Sequence, residues 1–541
     1  MDRLLTRTRQ FIFAKQTSMI SSTLIISAMF IVARAFGFLR YRVLAGYFVK
    51  EQLDVFYAAF RMPDLVFEIL ITGALTTSFI PFYMKYRHNK ELHSEQISSI
   101  INAITLSLVI FIIIFTLLLP HVMFLITPGF SKEKNDQIIY FSQILLISQL
   151  PFLTLGNFLT GISQAHKMFL VPAIAPILYN IPIIIMTFFF APTLGLSAPL
   201  IGVVLGAFLF FMIQLPILFW SDFSYLVVIK RTKELVDFFK MTIPRIFTVI
   251  VSQIDATIDL SLASLLGAGS YTVFYLGQHL QLLPVSVIGI AFSQASLPYL
   301  SEMQKENNMD GFRKVIVESV LNLFFFSIPI TSLLIFARTP IVRLFFGAEK
   351  FDWDATRLTA LTLSYFALSL PFHTIYYFIT RCFYALFDSR TPFYVSLITI
   401  FINTILSLTF ILVYHLPVWS LAVSFSTAMI MNTIILFFIL HARLQKLDLH
   451  GLFVETSKII GATILSSLPV YYFIKLFDNL ILDTSRTINV FFLMSLAAVL
   501  YFLLYLFLSW IFNIRQVYLI GRMIMKAKEY QKKVLEIYTG I

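Results

Sequence analysis

Apolar runs of 18 residues or more recur from Ser18 almost to Phe512, parted by short polar stretches. A helix of about 20 apolar residues crosses the hydrocarbon of a bilayer, and it satisfies its own backbone hydrogen bonds there. Each run therefore predicts a membrane-spanning helix. Fourteen are expected, over 18–37, 56–83, 97–126, 138–164, 170–192, 197–221, 236–266, 270–300, 312–337, 355–386, 392–413, 418–441, 455–476 and 487–512. The second is the least apolar because it carries charges. The basic stretch before the first run, with Arg3, Arg7, Arg9 and Lys15, lacks a clear small-residue cleavage site. A retained first span is expected rather than a signal peptide. The class is an all-α polytopic membrane protein.

Composition agrees. Of 541 residues, 59% are hydrophobic and 13% charged, against about 25% charged in a soluble domain; mean hydropathy is +0.86. The 59 phenylalanines read as lipid-facing bulk. One cysteine, Cys382, excludes an internal disulfide framework and a cysteine-cluster metal site.

The net charge of +12 is spread in a way that excludes nucleic acid as a partner. With fourteen spans both termini share a side, and that side collects Lys85, Arg87 and Lys90, then Lys230, Arg231 and Lys233, then Arg443, Lys446 and the basic tail after Arg515. Loops on the other side, around 193–196, 267–269 and 414–417, hold no Lys or Arg. By the positive-inside rule both termini are expected in the cytoplasm.

The chain also repeats itself. Pro151 and Pro172 lie 21 residues apart, as do Pro371 and Pro392, and the second pair follows the first by 220. Pro63 and Pro284 differ by 221. Such an offset contains six spans, an even number, so the copies share an orientation and a substrate path between them is expected. The expected organisation is a cytoplasmic segment 1–17, an N-lobe over 18–222, a C-lobe over 236–441, two further helices over 455–512, and a cytoplasmic tail 513–541.

Ionisable groups inside spans are costly and usually face a bundle interior or a wet cavity. Arg34, Arg40, Asp54, Arg61, Asp64 and Glu68 crowd the first two spans. One reading makes them interface anchors and internal ion pairs; the other makes an anion-attracting cavity, because guanidinium matches phosphate with paired donors. In the seventh span Asp255 and Asp259, four apart, share a helix face. They suggest a cation or proton site, unless Arg245 and Gln253 neutralise them. Asn403, Ser424 and Thr427 are candidate oxygen partners for sodium, and His279 and Arg381 complete the polar set of the second repeat. No GxSxG, HExxH, GxxxxGK[ST] or DxxD motif is present, so an enzyme is not expected.

Read together, several stretches resemble the MurJ (MviN) lipid II flippase family. They are Ala33-Arg34-Ala35-Phe36-Gly37-Phe38-Leu39-Arg40, then Leu53-Asp54-Val55-Phe56-Tyr57-Ala58-Ala59-Phe60-Arg61-Met62-Pro63, Thr127-Pro128-Gly129-Phe130, Val171-Pro172-Ala173-Ile174-Ala175-Pro176 with Asn180, Val251-Ser252-Gln253-Ile254-Asp255, and Phe383-Tyr384-Ala385-Leu386-Phe387-Asp388 before Thr391-Pro392. The resemblance covers roughly residues 18–515. It implies the fold of the multidrug/oligosaccharidyl-lipid/polysaccharide exporters: two six-helix lobes in a V, plus two helices forming a groove for a lipid tail. It implies transport of an undecaprenyl-diphosphate-linked peptidoglycan precursor to the outer leaflet of the bacterial inner membrane by alternating access. It assigns the substrate cavity to Arg34, Arg40 and Asp54, with His279 at the place of a family arginine, and a sodium site to Asp259 with Asn403 and Thr427; the residues' own pattern adds Arg61 to the cavity and Asp255 to the cation site. No cofactor is expected beyond a sodium ion or the membrane potential. The expected partners are the lipid-linked precursor and membrane lipids, with the chain acting as a monomer.

The chain departs from that pattern. Tyr41 stands where the family usually has an acid; Phe67 and Glu68 replace a basic pair after a Pro-Asn; Thr72 replaces an acid; and His279 falls on an arginine. Other readings stay open at this point. A flippase for another polyprenyl-linked glycan and a cation-coupled exporter of small amphipathic compounds share the fold. A membrane scaffold is disfavoured by the costly buried charges.

Overall fold

The computed structural model describes residues 19–69, 79, 83, 90–166, 168–220, 223–230, 232–445, 447–480, 487–518 and 521. Thr72, Lys446, most of the second expected span beyond Ile69 and the segments 1–18 and 522–541 lie outside them, as does the side chain of Arg245.

The described residues are helical. The helices are α1 (Met19–Tyr47), α2 (Lys50–Phe67), α3 (Lys90–Ile126), α4 (Lys132–Ala165), α5 (Leu170–Leu194), α6 (Ser197–Phe219), α7 (Lys233–Ser264) and α8 (Ser270–Lys305). They continue as α9 (Met309–Phe336), α10 (Arg338–Phe346), α11 (Trp353–Ala385), α12 (Arg390–Val413), α13 (Trp419–Leu444), α14 (Leu449–Leu480) and α15 (Thr487–Ile511). Among the described residues, eleven are long and apolar enough to cross a membrane. The other three expected spans fall on α1, α2 and α7, which carry the intramembrane charges. The short α10 was not expected; its nine residues mix Arg338 and Arg343 with apolar side chains and are too few to show a span.

The repeat is visible in where helices begin. Lys50 and Ser270 open α2 and α8, and Leu170 and Arg390 open α5 and α12, each pair 220 residues apart. A π turn interrupts α4 at Leu145–Gln149, α8 at Val285–Ile290 and α12 at Thr409–Val413.

The helices gather into two compact units. One runs to Thr272 and includes Ala348–Asp352; the other takes the rest from Val273. Phe158, Ile162, Ile97, Tyr83 and Phe238 are buried together in the first. In the second, Phe312, Ile316, Phe378 and Leu440 form one core, and Phe325, Ile459 and Tyr505 pack α9 against α14 and α15. The most apolar window of α11 is 72% buried but that of α3 only 22%. The first is therefore an interior helix, and the second presents Leu117, Phe124 and Leu125 to lipid tails.

Proline sits inside many of these helices, and each lacks the N–H that would bond the carbonyl four residues earlier. In hydrocarbon that carbonyl needs another donor. Four receive one from a different helix. Ser142 Oγ donates to Ala59 O (2.8 Å) before Pro63, and Gln143 Nε2 to Thr116 O (3.2 Å) before Pro120. Tyr47 OH donates to Phe188 O (3.0 Å) before Pro192, and Tyr505 OH to Phe325 O (2.8 Å) before Pro329.

Between α6 and α7 the chain runs extended along the start of α3. Ser94, Ser98 and Ser99 hydroxyls accept from the N–H of Ser224, Leu226 and Lys230. Asn102 Nδ2 donates to Leu226 O and Val228 O, both at 2.9 Å, and Lys230 pairs with Glu95.

Candidate functional site

Three arginines of α1 follow one another down the helix. Arg34 is exposed; Arg40 and Arg42 are half-buried. The Arg40 guanidinium lies 4.7 Å from the centre of the Tyr41 ring, and that ring meets Tyr57 edge-on at 6.0 Å. The second arginine of this chain thus sits against an aromatic face.

Arg61, on α2, reaches α7. Its Nε donates to Thr257 Oγ1 (3.0 Å), and Nη2 donates to Gln253 O (2.7 Å), Gln253 Oε1 (3.2 Å) and Thr257 Oγ1 (2.5 Å). Gln253 and Thr257 are one turn apart, so the planar fork of one guanidinium bridges both. This tie holds two helices together, a role the sequence did not suggest for Arg61.

Asp54, near the start of α2, is fully buried. Its Oδ2 accepts from Gly269 N (2.6 Å) and its Oδ1 from Thr272 N (2.9 Å), while Thr272 Oγ1 donates to Lys50 O (2.9 Å). The N–H groups at a helix start have no partner within the helix, and a carboxylate there is also favoured by the helix dipole. Asp54 caps the start of α8 from a distant part of the chain. Gly269 has φ +85°, and a Cβ on it would meet the Lys50 side chain, so glycine is required there twice over. A second close approach lies at Gly129. Its N–H donates to Ser264 Oγ (3.1 Å), and a Cβ would overlap the Ser264 carbonyl.

Asp255 is half-buried and Asp259 fully buried on α7, four residues apart as expected. Asn403, on α12, is buried. Thr427, on α13, is exposed and its hydroxyl donates to Val423 O (2.8 Å). The two aspartates belong to the first unit, Asn403 and Thr427 to the second. His279 is also in the second, its Nδ1 2.8 Å from Tyr275 O and its ring against that tyrosine. Among the described residues no group of three or more His, Cys, Asp or Glu could hold a metal ion.

This arrangement is that of a membrane protein with strong cations on its first helix and buried polar ties along α2. The family model for the lipid II flippase MurJ matches residues 44–492. The chain belongs to the MurJ family. A relative from Borreliella burgdorferi, named a probable lipid II flippase MurJ, is 25% identical over 494 residues, which is 90% of this chain and 95% of the relative. Among solved structures, a lipid II flippase MurJ in an inward closed conformation superposes with a TM-score of 0.74 at 26% identity, covering 90% of this chain and 98% of its own. An inward-facing multidrug-resistance transporter of the MOP superfamily shares the fold alone, with a TM-score of 0.66 at 13% identity over 79% of this chain and 99% of its own. The MurJ family thus stands within the exporter fold that the sequence resemblance implied.

Proposed function

We propose that this chain flips lipid II, the undecaprenyl-diphosphate-linked peptidoglycan precursor, from the inner to the outer leaflet of the bacterial inner membrane, acting as a transporter and not as an enzyme. Membership of the MurJ family across residues 44–492 carries the reading. The guanidinium groups of Arg34 and Arg40 support it, as paired donors matched to a diphosphate on an otherwise apolar helix. Asp54 and Arg61 act by holding α2 in place, and His279 adds a donor to the headgroup path. Both termini face the cytoplasm by the positive-inside rule, and the working unit is a monomer.

Coupling to sodium through Asp259 and Asp255 belongs to the same proposal. Two carboxylates on one face of α7 are the right donor chemistry for a hard cation. Those residues would hold the ion and respond to its loss.

The experiment is rescue of a strain depleted of its own lipid II flippase. The wild-type chain restores growth, and the Arg34→Ala/Arg40→Ala double variant, present at equal level in the membrane, does not. Failure of the well-expressed wild type overturns the reading, and rescue by the double variant removes the two arginines from it.

A further inference from the structure

We propose that the first unit contains a binding site for a small primary-ammonium compound, in the cavity where α2, α4, α5 and α6 meet. The cavity measures about 390 Å³, within the range of small-molecule pockets and mostly apolar as they are. Phe67 and Phe210 stand on its wall, and its polar groups include Asp64, Gln149, Asn157 and Tyr179.

These polar groups are arranged to accept hydrogen bonds. Gln149 is 3% exposed; its Nε2 donates to Tyr179 OH at 3.0 Å, and its Oε1 has no hydrogen-bond partner among the described residues. An acceptor buried without a donor costs about 1–3 kcal/mol, so the site is incomplete as it stands. Asn157 Nδ2 is taken by Leu153 O at 2.8 Å, which leaves Oδ1 as a further acceptor. Asp64 is exposed at the cavity, where the guanidinium groups of Arg61 and Arg40 also act on its charge. The π turn Leu145–Gln149 ends on the orphaned glutamine, and such turns are frequent at ligand sites.

The class of ligand follows from what each alternative lacks. An anion is repelled by the carboxylate. An alkali ion would occupy a small part of 390 Å³ and draw most of its coordination from water, so one carboxylate would hold it weakly. A quaternary ammonium carries no N–H for Gln149 Oε1. A primary ammonium supplies a positive charge to Asp64, donors to Gln149 and Asn157, and an apolar tail to Phe67 and Phe210, where aromatic faces also favour a cation.

The test uses the purified full chain in lipid nanodiscs and three probes at equal ionic strength: n-pentylammonium, N,N,N-trimethylpentylammonium and sodium chlorides. Calorimetric titration and thermal unfolding are read for each. Pentylammonium is expected to bind saturably and raise Tm, with the quaternary analogue about tenfold weaker or worse, the weight of a hydrogen bond to a charge. Asp64→Asn and Gln149→Met each lower the affinity by about tenfold, whereas Asp64→Glu, which keeps the charge, retains binding and shows that the site tolerates change. No saturable binding, equal binding of the quaternary analogue, or binding unchanged in Asp64→Asn overturns the proposal. So does an Asp64-dependent effect of sodium as large as that of pentylammonium, which would make this an alkali-ion site. Because the readout is binding to purified protein, it stands apart from the growth rescue that tests flipping.

Discussion

At Arg61 a single side chain carries four hydrogen-bond contacts to one turn of α7, and its geometry is what lysine cannot copy. A lysine keeps the charge but presents one point of contact in place of a planar fork. Arg61→Lys is expected to lower stability by about 1–3 kcal/mol, the range for bonds to a charged group, read as a fall in Tm in detergent. An unchanged Tm would show that the tie is idle. Asp388, in the turn between α11 and α12, offers a prediction in pH. Partial burial works to raise its pKa, but the N–H and hydroxyl of Thr391, the Arg443 guanidinium and the Arg390 N–H outweigh it and hold the carboxyl below its ordinary value. A depressed folded pKa favours the folded state above the unfolded value of about 3.9, and that gain is lost as pH falls through the folded value. The drop in Tm between pH 7 and pH 3 should therefore be smaller in Asp388→Asn than in wild type; equal drops would remove Asp388 from the acid response. At this scale little of the site was legible in the sequence. Asp54 stood out as a charge in an apolar region, but its partners lie 215 and 218 residues away, and no local pattern links them.

At the level of the helix, the proline sites decide which neighbours must touch. Tyr505→Phe keeps the ring of α15 packed on Phe325 and removes only the hydroxyl that serves the carbonyl before Pro329. An unsatisfied carbonyl in this setting costs about 1–2 kcal/mol. The variant should unfold at lower temperature, and adding Pro329→Ala, which restores the helix's own N–H, should recover the loss. If the double variant gains nothing, the hydroxyl serves another purpose. Most spans were read from the sequence, since long apolar runs leave little choice of structure, although α1 runs ten residues past its expected end and α3 opens seven before its expected start. The π turns were not, because a one-residue slip of the helical ladder leaves no mark in hydropathy.

For the whole molecule, the single cysteine is a convenient reporter. Cys382 is fully buried in the core of the second unit. Its thiol should resist a membrane-impermeant maleimide in native membranes and react within minutes after dissolution in SDS. Ready labelling of native protein would contradict this packing. The family was legible in the order of short motifs, each weak alone, that together run through most of the chain. The four donated carbonyls bear, finally, on how the chain is made. The carbonyl of Phe325 is synthesised 180 residues before the tyrosine that will serve it, and that of Ala59 precedes Ser142 by 83. Phe188, in contrast, emerges after Tyr47 is already in place. During insertion by the ribosome-bound translocase the early half closes its proline gaps almost as it enters. The later half must keep one open until α15 arrives, so a truncated product ending before α15 carries a lasting polar defect for quality control to find.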